Sequence, residues 1–109
     1  MPTISDWQGL EVRAGTVLRA EVNDTARDAA YKLWIDFGDL GTLQSSAKIT
    51  DLYPDPGDLV GSQVIAVTGF EPIRVGGFRS DVLVLGALTE DGVVVLRPDR
   101  PVAPGSEIA

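Results

Sequence analysis

Ser45 and Ser46 are the side chains whose type and surroundings come closest to a nucleophilic centre, with Lys32 and Lys48 near them in the sequence. A serine attacks a substrate when a neighbouring base removes its proton, and histidine, the usual base, is absent from the chain. A serine–lysine pair would require one of the two lysines to be desolvated beside the hydroxyl. We therefore interpret the serines as hydrogen-bonding groups, and we predict that the chain is not an enzyme.

Three carboxylates, Asp51, Asp55 and Asp58, are the candidates for a metal site, because Ca²⁺ and Mg²⁺ prefer oxygen ligands. Their spacing does not match an EF-hand loop, and prolines interrupt it. The chain also lacks Cys and His, the common ligands of transition metals. We interpret the segment as a solvated acidic loop and predict neither a metal nor another cofactor. No phosphate-binding GxxxxGKS/T loop is present, and no particular pair of carboxylates is marked for acid–base catalysis.

The composition is that of an ordinary globular domain with an acidic surface. Its 109 residues, 44% of them hydrophobic, suffice for one domain with its own core. The formal net charge of -7 disfavours non-specific binding of nucleic acid, which depends on Lys and Arg. The first residues lack the features of a signal peptide, and no apolar stretch approaches the ~20 residues of a membrane helix. We predict a single cytoplasmic domain, residues 1–109.

Short β-branched segments between frequent turn signals predict an all-β fold, either a sandwich or a barrel. The predicted strands cover residues 10–22, 32–37, 43–46, 63–68, 82–85 and 93–96. The first strand contains Gly15, which indicates a bend or a bulge. The run VLVLG at residues 82–86 is continuously apolar and predicts cover on both faces. Short helical turns are predicted over residues 6–10, capped by Ser5, and over residues 49–53.

The segment at residues 32–37 alternates cleanly between apolar and polar positions. Leu33, Ile35 and Phe37 share one face of the predicted strand. Lys32 and Trp34 share the opposite face, where a ligand could reach them.

Four segments carry a family resemblance through their order and spacing: residues 32–38 (KLWIDFG), 44–50 (QSSAKIT), 74–86 (RVGGFRSDVLVLG) and 97–102 (RPDRPV). Together they resemble the CsaA-like export-related chaperones of the tRNA-binding domain superfamily. The similarity runs from about residue 6 to the C-terminus. It departs from the family pattern at Gly69, where relatives usually carry Asn.

The resemblance implies a five-stranded oligonucleotide/oligosaccharide-binding (OB) Greek-key barrel with added N- and C-terminal elements. It also implies a homodimer in which those added elements make much of the contact. For CsaA-like proteins it implies binding of unfolded or precursor polypeptides in connection with secretion. For the superfamily it implies tRNA binding.

Ten residues on the matching segments are predicted to line one ligand groove, for peptide or for tRNA: Lys32, Trp34, Gln44, Ser45, Ser46, Arg74, Gly77, Phe78, Arg79 and Ser80. Trp34 would stack on a base or on an apolar side chain, and Lys32 would supply charge. Each member also has a purely structural interpretation. Trp34 could cover the core or a dimer interface, Phe78 is expected to contact a second subunit rather than to stack on a ligand, and Arg79 could pair with Asp81.

The leading functional hypothesis is a homodimeric chaperone for unfolded or precursor polypeptides that needs no nucleotide. An acidic surface with an apolar and basic groove suits basic, apolar peptides, and the secretion machinery is an expected partner. A stand-alone tRNA-binding protein using the same groove is the second hypothesis, ranked lower because of the net charge of -7. A scaffolding dimer whose groove is merely a seam is the third.

Overall fold

Strand β1 organises the fold because its two halves pair with different neighbours. The computed structural model describes residues 1–109. Its elements, in chain order, are α1 (Ile4–Gln8), β1 (Glu11–Val22), β2 (Tyr31–Asp36), a 3₁₀ turn (Gly38–Leu40), β3 (Thr42–Ala47), a second 3₁₀ turn (Pro56–Leu59), β4 (Gln63–Thr68), β5 (Ile73–Val75), β6 (Phe78–Ser80), β7 (Leu83–Val84), β8 (Gly86–Thr89) and β9 (Gly92–Val95).

The main sheet is antiparallel and has the order β3-β2-β1-β4-β7. The first half of β1 pairs with β4 and the second half with β2, which curls the sheet into an OB-type barrel. The pairs β5–β6 and β8–β9 form two separate hairpins. The predicted all-β barrel is therefore confirmed.

The barrel closes between β3 and the end of β6 with the residue that follows it, and side chains replace part of the backbone ladder there. The Gln44 N–H donates to Asp81 Oδ2 at 3.1 Å, and the Asp81 N–H donates to the Gln44 carbonyl at 2.7 Å. The Ser46 N–H donates to Ser80 Oγ at 3.0 Å. We call these four residues the closing seam.

The bend in β1 lies beyond the position expected from the sequence. The register with β2 shifts between Val17 and Arg19, so the bulge follows Gly15 by a few residues. A Cβ on Gly15 would lie 2.5 Å from Ile35 Cγ2 and 2.7 Å from Phe37 Cε1. The glycine is needed for close packing of β1 against the core rather than for the bulge itself.

The core is filled by the inward residues of the curled sheet. The alternation predicted for β2 is confirmed, because Leu33, Ile35 and Phe37 are fully buried. Two tyrosines tie the later loops to this core. The Tyr31 hydroxyl donates to the Tyr53 carbonyl at 2.5 Å, and the Tyr53 hydroxyl accepts from the Val95 N–H at 3.0 Å.

Several local predictions were wrong. Helix α1 begins after Thr3 rather than Ser5, and the Thr3 N–H donates to the Asp6 carboxylate at 2.8 Å. The segment at residues 49–53 is a turn rather than a helix. A 3₁₀ turn forms instead at Pro56–Leu59, where the Asp55 carboxylate accepts from the Gly57 N–H at 2.9 Å. Strands β5, β6 and β8 were not predicted as separate strands.

Candidate functional site

The outer face of β1, β2 and β3 presents a tryptophan between two polar neighbours. Trp34 is the register partner of Arg19 on β1 and of Gln44 on β3. The Arg19 guanidinium carbon lies 4.4 Å from the centroid of the Trp34 ring, within the range of a cation–π contact. Lys32 lies two residues before Trp34 on the same face and has Ser46 as its partner on β3.

The β5–β6 hairpin folds over this face through Phe78. The rings of Phe78 and Trp34 meet edge to face, with centroids 5.6 Å apart and planes at 79°. The Lys32 ammonium lies 5.4 Å from the Phe78 ring centroid. We call Arg19, Lys32, Trp34 and Phe78 the aromatic platform. Within the chain, Phe78 contacts Trp34 and Lys32.

Two arginines project from the opposite face of the same hairpin. Arg74 and Arg79 are register partners, so their like charges face each other across two strands. Arg79 forms an ion pair with Asp81 at 2.8 Å, which is the structural role that the sequence suggested for it. Arg74 has no acidic partner and donates to the Gly77 carbonyl at 3.2 Å. The turn between them uses Gly76 and Gly77, both with positive φ.

Two predicted groove residues are inaccessible, which corrects the sequence analysis. Ser45 is 0% exposed because strand alternation turns it to the interior, and its hydroxyl donates to the Ser46 carbonyl at 3.2 Å. Ser80 is 3% exposed, and its hydroxyl donates to the Val82 carbonyl at 3.1 Å while serving in the closing seam. Both hydroxyls satisfy backbone groups and do not reach solvent.

The other polar predictions reach the surface at least in part. Gln44 is half-buried, and its side-chain amide donates to the Arg79 carbonyl at 2.7 Å. That bond fastens β6 to β3. Ser46 is half-buried beside Lys32, and its N–H is used in the closing seam.

An apolar groove beside the hairpin, bordered by residues on the same hairpin face as Phe78, was missed by the sequence analysis. It has a volume of about 420 Å³. Its lining is mostly aliphatic and consists of Ser46, Ala47, Lys48, Ile49, Ile73, Val75, Leu83, Val84, Leu85, Gly86, Leu88 and Val93. Leu83 is 53% exposed and Leu88 is 87% exposed. The run at residues 82–86 is therefore not covered on both faces, and the earlier prediction for it was wrong.

The groove carries almost no charge. Lys48 is the one charged residue of its lining, and its ammonium pairs with Asp28 at 3.0 Å. No group of His, Cys, Asp or Glu side chains in the structure could hold a metal ion. None of the helices has the length and apolar character needed to cross a bilayer.

The chain ends form a second region with uncovered apolar side chains. Helix α1 has no buried residue, and Ile4, Trp7 and Leu10 are exposed there. The C-terminal residues pair with the start of β1, where the Ile108 N–H donates to the Val12 carbonyl at 2.9 Å. These two segments border one cavity of about 540 Å³.

Comparison with known proteins decides the family. Residues 12–107 match the family described as "Putative tRNA binding domain". The chain belongs to this tRNA-binding domain family. The match covers the barrel from the second residue of β1, both hairpins and most of the C-terminal segment.

Two solved structures are similar along the entire chain. The chaperone CsaA of Bacillus anthracis is 46% identical, with a TM-score of 0.93 over 100% of this chain and 99% of that one. The CsaA chaperone protein of Picrophilus torridus is 39% identical, with a TM-score of 0.92 over 100% of both chains. The resemblance to CsaA-like proteins is thereby confirmed.

The curated relatives are larger proteins. Methionine–tRNA ligase of Methanothrix thermoacetophila is 35% identical over 102 residues, which are 94% of this chain. The chain spans 15% of the length of that ligase. The similarity therefore concerns one domain of the ligase.

Proposed function

We propose that the chain is a CsaA-like chaperone that binds unfolded or precursor polypeptides for secretion, without nucleotide hydrolysis. The apolar groove carries this proposal. A groove whose leucines stay open to solvent marks a surface that a partner covers. The two CsaA chaperones that match the whole chain support the same assignment.

The groove suits weak, reversible binding of aliphatic segments. Burying one leucine or isoleucine completely contributes roughly 1.5–3 kcal/mol. Ile73, Leu83 and Leu88 are the exposed aliphatic residues of the lining, and a client would bury each of them partly. Association itself costs about 4–15 kcal/mol. These three residues alone therefore give little or no net affinity, and the client's own apolar side chains must supply the rest, which fits weak and reversible binding.

The test combines function with direct binding. The purified protein is expected to slow aggregation of a chemically denatured client and to bind an aliphatic-rich peptide in a fluorescence titration. Trp7→Phe leaves Trp34 as the single tryptophan reporter. A protein that neither delays aggregation nor binds such a peptide would overturn the proposal.

A tRNA-binding role is the second candidate, and the hairpin arginines favour it. Arg79 is already paired with Asp81, but Arg74, which faces it across the two strands, has no acidic partner and is available to an anion. The aromatic platform includes Phe78, next to the turn of the same hairpin, and aromatic rings stack on bases. The net charge of -7 opposes binding of a polyanion and is the reason for the lower rank. A gel-shift titration with unmodified tRNA at low salt tests it.

We also propose that the protein is a homodimer joined through its chain ends. A five-residue helix without one buried side chain is too short to be stable alone in water. A second copy would cover Ile4 and Trp7 and explain why the helix forms. Sedimentation analysis decides between a dimer and a monomer.

A further inference from the structure

Asn23 joins two parts of the chain that no strand pairing connects. It is the only asparagine in the sequence and is 3% exposed. Its side-chain amide donates to the Val75 carbonyl at 3.3 Å. Its side-chain oxygen accepts from the Thr25 N–H at 3.2 Å and from Thr25 Oγ1 at 2.8 Å. Burial of an amide with all these partners is a specific arrangement, because each unmet bond would leave a buried polar group.

Gly76 completes the contact from the side of the hairpin. A Cβ at this position would lie 2.1 Å from the Thr25 carbonyl oxygen and 2.8 Å from the Ala26 nitrogen. The backbone of the hairpin tip therefore lies directly against the loop at residues 23–30. We call Asn23, Thr25 and Gly76 the clasp.

The clasp supplies the one hydrogen bond that reaches β5 from outside its hairpin. The other strand of the hairpin is tied to β3, through the Gln44 amide and through Ser80 in the closing seam. Strand β5 pairs with β6 alone, over three residues. A two-stranded hairpin of this length is marginally stable in water. Its position therefore depends on what holds β5.

Both candidate ligand surfaces depend on that position. Ile73 and Val75 of β5 form one wall of the apolar groove. Phe78 of β6 completes the aromatic platform, and Arg74 and Arg79 project from the other face. We infer that Asn23 is a positioning residue, which fixes the hairpin as the shared wall of the groove and the platform. The consequence for binding rests on the proposed function.

The first test measures the hairpin without any ligand. Asn23→Asp keeps the acceptor for Thr25 but replaces the donor to Val75 by an oxygen, and Asn23→Ala removes both. Gly76→Ala forces the hairpin tip away from the Thr25 carbonyl and leaves the Asn23 side chain unchanged. Amide exchange of residues 73–79 is expected to rise roughly two- to tenfold in Asn23→Asp, the effect of losing one hydrogen bond, and at least as much in Asn23→Ala and Gly76→Ala. Trp34 emission, measured in the Trp7→Phe background, is expected to shift with it.

Gly77→Ala is the matched control for backbone strain. Gly77 has a positive φ, as Gly76 does, but nothing lies within 4 Å of the added methyl group. Gly77→Ala is therefore expected to raise hairpin exchange less than Gly76→Ala. Equal exchange in the two variants would contradict a role for the Thr25 contact.

A second control separates positioning from general loss of stability. Val17→Ala makes a core cavity away from the hairpin and is expected to speed exchange throughout the sheet. The Asn23 variants are expected to affect the hairpin selectively. At a temperature where each is folded, they should also weaken peptide or tRNA binding roughly two- to tenfold. If Asn23→Ala does not fold, Thr25→Val removes one clasp bond and keeps the side-chain shape.

The inference is overturned if folded Asn23 and Gly76 variants keep wild-type exchange at residues 73–79 and wild-type Trp34 emission. The exchange data decide this without a ligand. Failure of the wild-type protein to bind peptide or tRNA would instead contradict the proposed function and leave the structural role of the clasp to be judged from exchange.

Discussion

Arg19 lies over the ring of Trp34, 4.4 Å from its centroid, and the two residues are register partners across β1 and β2. The same ring meets the edge of Phe78 from the hairpin. A tryptophan held between a cation and a second aromatic ring is ordered before any ligand arrives. Trp34 is therefore both a candidate contact and a reporter of the hairpin position.

The contact between Arg19 and Trp34 can be measured by a double-mutant cycle. We expect a coupling free energy of about 0.5–1 kcal/mol between Arg19→Ala and Trp34→Leu in urea unfolding, the size of an exposed cation–π contact. Arg27→Ala is the control, because Arg27 is exposed and makes no cation–π contact. A coupling no larger than that between Arg27→Ala and Trp34→Leu would show that the contact does not stabilise the fold.

A charge placed in the apolar groove tests the chaperone hypothesis. Leu88→Glu is expected to reduce protection of a denatured client at least several-fold, because burying a carboxylate against an aliphatic client is unfavourable. Leu88 is 87% exposed, so the fold should tolerate the change. Leu40→Glu alters an exposed leucine outside the groove and should leave protection intact. Aggregation kinetics measured by light scattering compare the two, and equal protection would argue against the groove.

Salt dependence tests whether the hairpin arginines contact phosphates. Arg74→Ala is expected to weaken tRNA binding and to lower the slope of log K against log salt by roughly 0.7–0.9, the effect of one phosphate contact. Arg100→Ala removes an exposed cation outside the hairpin and serves as the control. Titrations at several salt concentrations give the slopes. A slope that Arg74→Ala leaves unchanged would exclude Arg74 from the RNA contact.

Tyr31 predicts a loss of stability at alkaline pH. Burial, and next the carboxylate of Asp55, raise the pKa of Tyr31 above the ordinary value of about 10. Because the pKa is higher in the folded state, this stabilisation is complete below the unfolded pKa and is lost as pH rises through the folded pKa. We expect Tyr31→Phe to unfold with less dependence on pH above 10.

Urea unfolding of both proteins between pH 8 and pH 11 provides the comparison, since titration of the other groups largely cancels in the difference. At neutral pH, Tyr31→Phe should cost about 1 kcal/mol, because the Tyr53 carbonyl loses its hydrogen-bond donor. Identical alkaline slopes would contradict the assignment to Tyr31.

The exposed side chains of α1 predict how the proposed dimer responds when one of them is shortened to alanine. Trp7→Ala is expected to weaken self-association by about ten- to a hundredfold, since a buried tryptophan is a typical interface anchor. Leu52→Ala, at an exposed leucine away from the chain ends, is the matched control. Sedimentation equilibrium over a range of concentrations gives both constants. Equal association of the two variants would place the interface elsewhere.

Periodicity revealed the barrel wall better than it revealed the site. The alternation of residues 32–37 assigned the buried face correctly and placed the half-buried Lys32 and Trp34 on the other face, because a strand has only two faces. Ser45 and Ser80 were misassigned because a hydroxyl serves a buried backbone group as readily as a ligand. Alternation along β3 already places Ser45 on the opposite face of the strand from Gln44 and Ser46, so the sequence was sufficient to distinguish it from them.

The groove and the clasp depend on contacts that local patterns do not contain. A continuous apolar run is typical of a strand covered on both faces, and only the course of the β5–β6 hairpin shows that Leu83 stays open. Asn23 followed by Asp24 is locally typical of a turn and indicates nothing more. Its bond to Val75 joins residues 52 positions apart, and no local pattern reports such a separation.

The closing seam has a consequence for the mechanical character of the barrel. The strand pairings of the main sheet, in the order β3-β2-β1-β4-β7, are made by backbone hydrogen bonds, which any sequence supplies. The last joint has one backbone bond, from the Asp81 N–H to the Gln44 carbonyl, and otherwise relies on side chains, among them the Ser80 hydroxyl and the Asp81 carboxylate. Rotation of those two side chains would leave the joint held by that backbone bond and by the Gln44 amide on the Arg79 carbonyl, with every ladder intact. The stiffness of that joint is a property that two substitutions could tune.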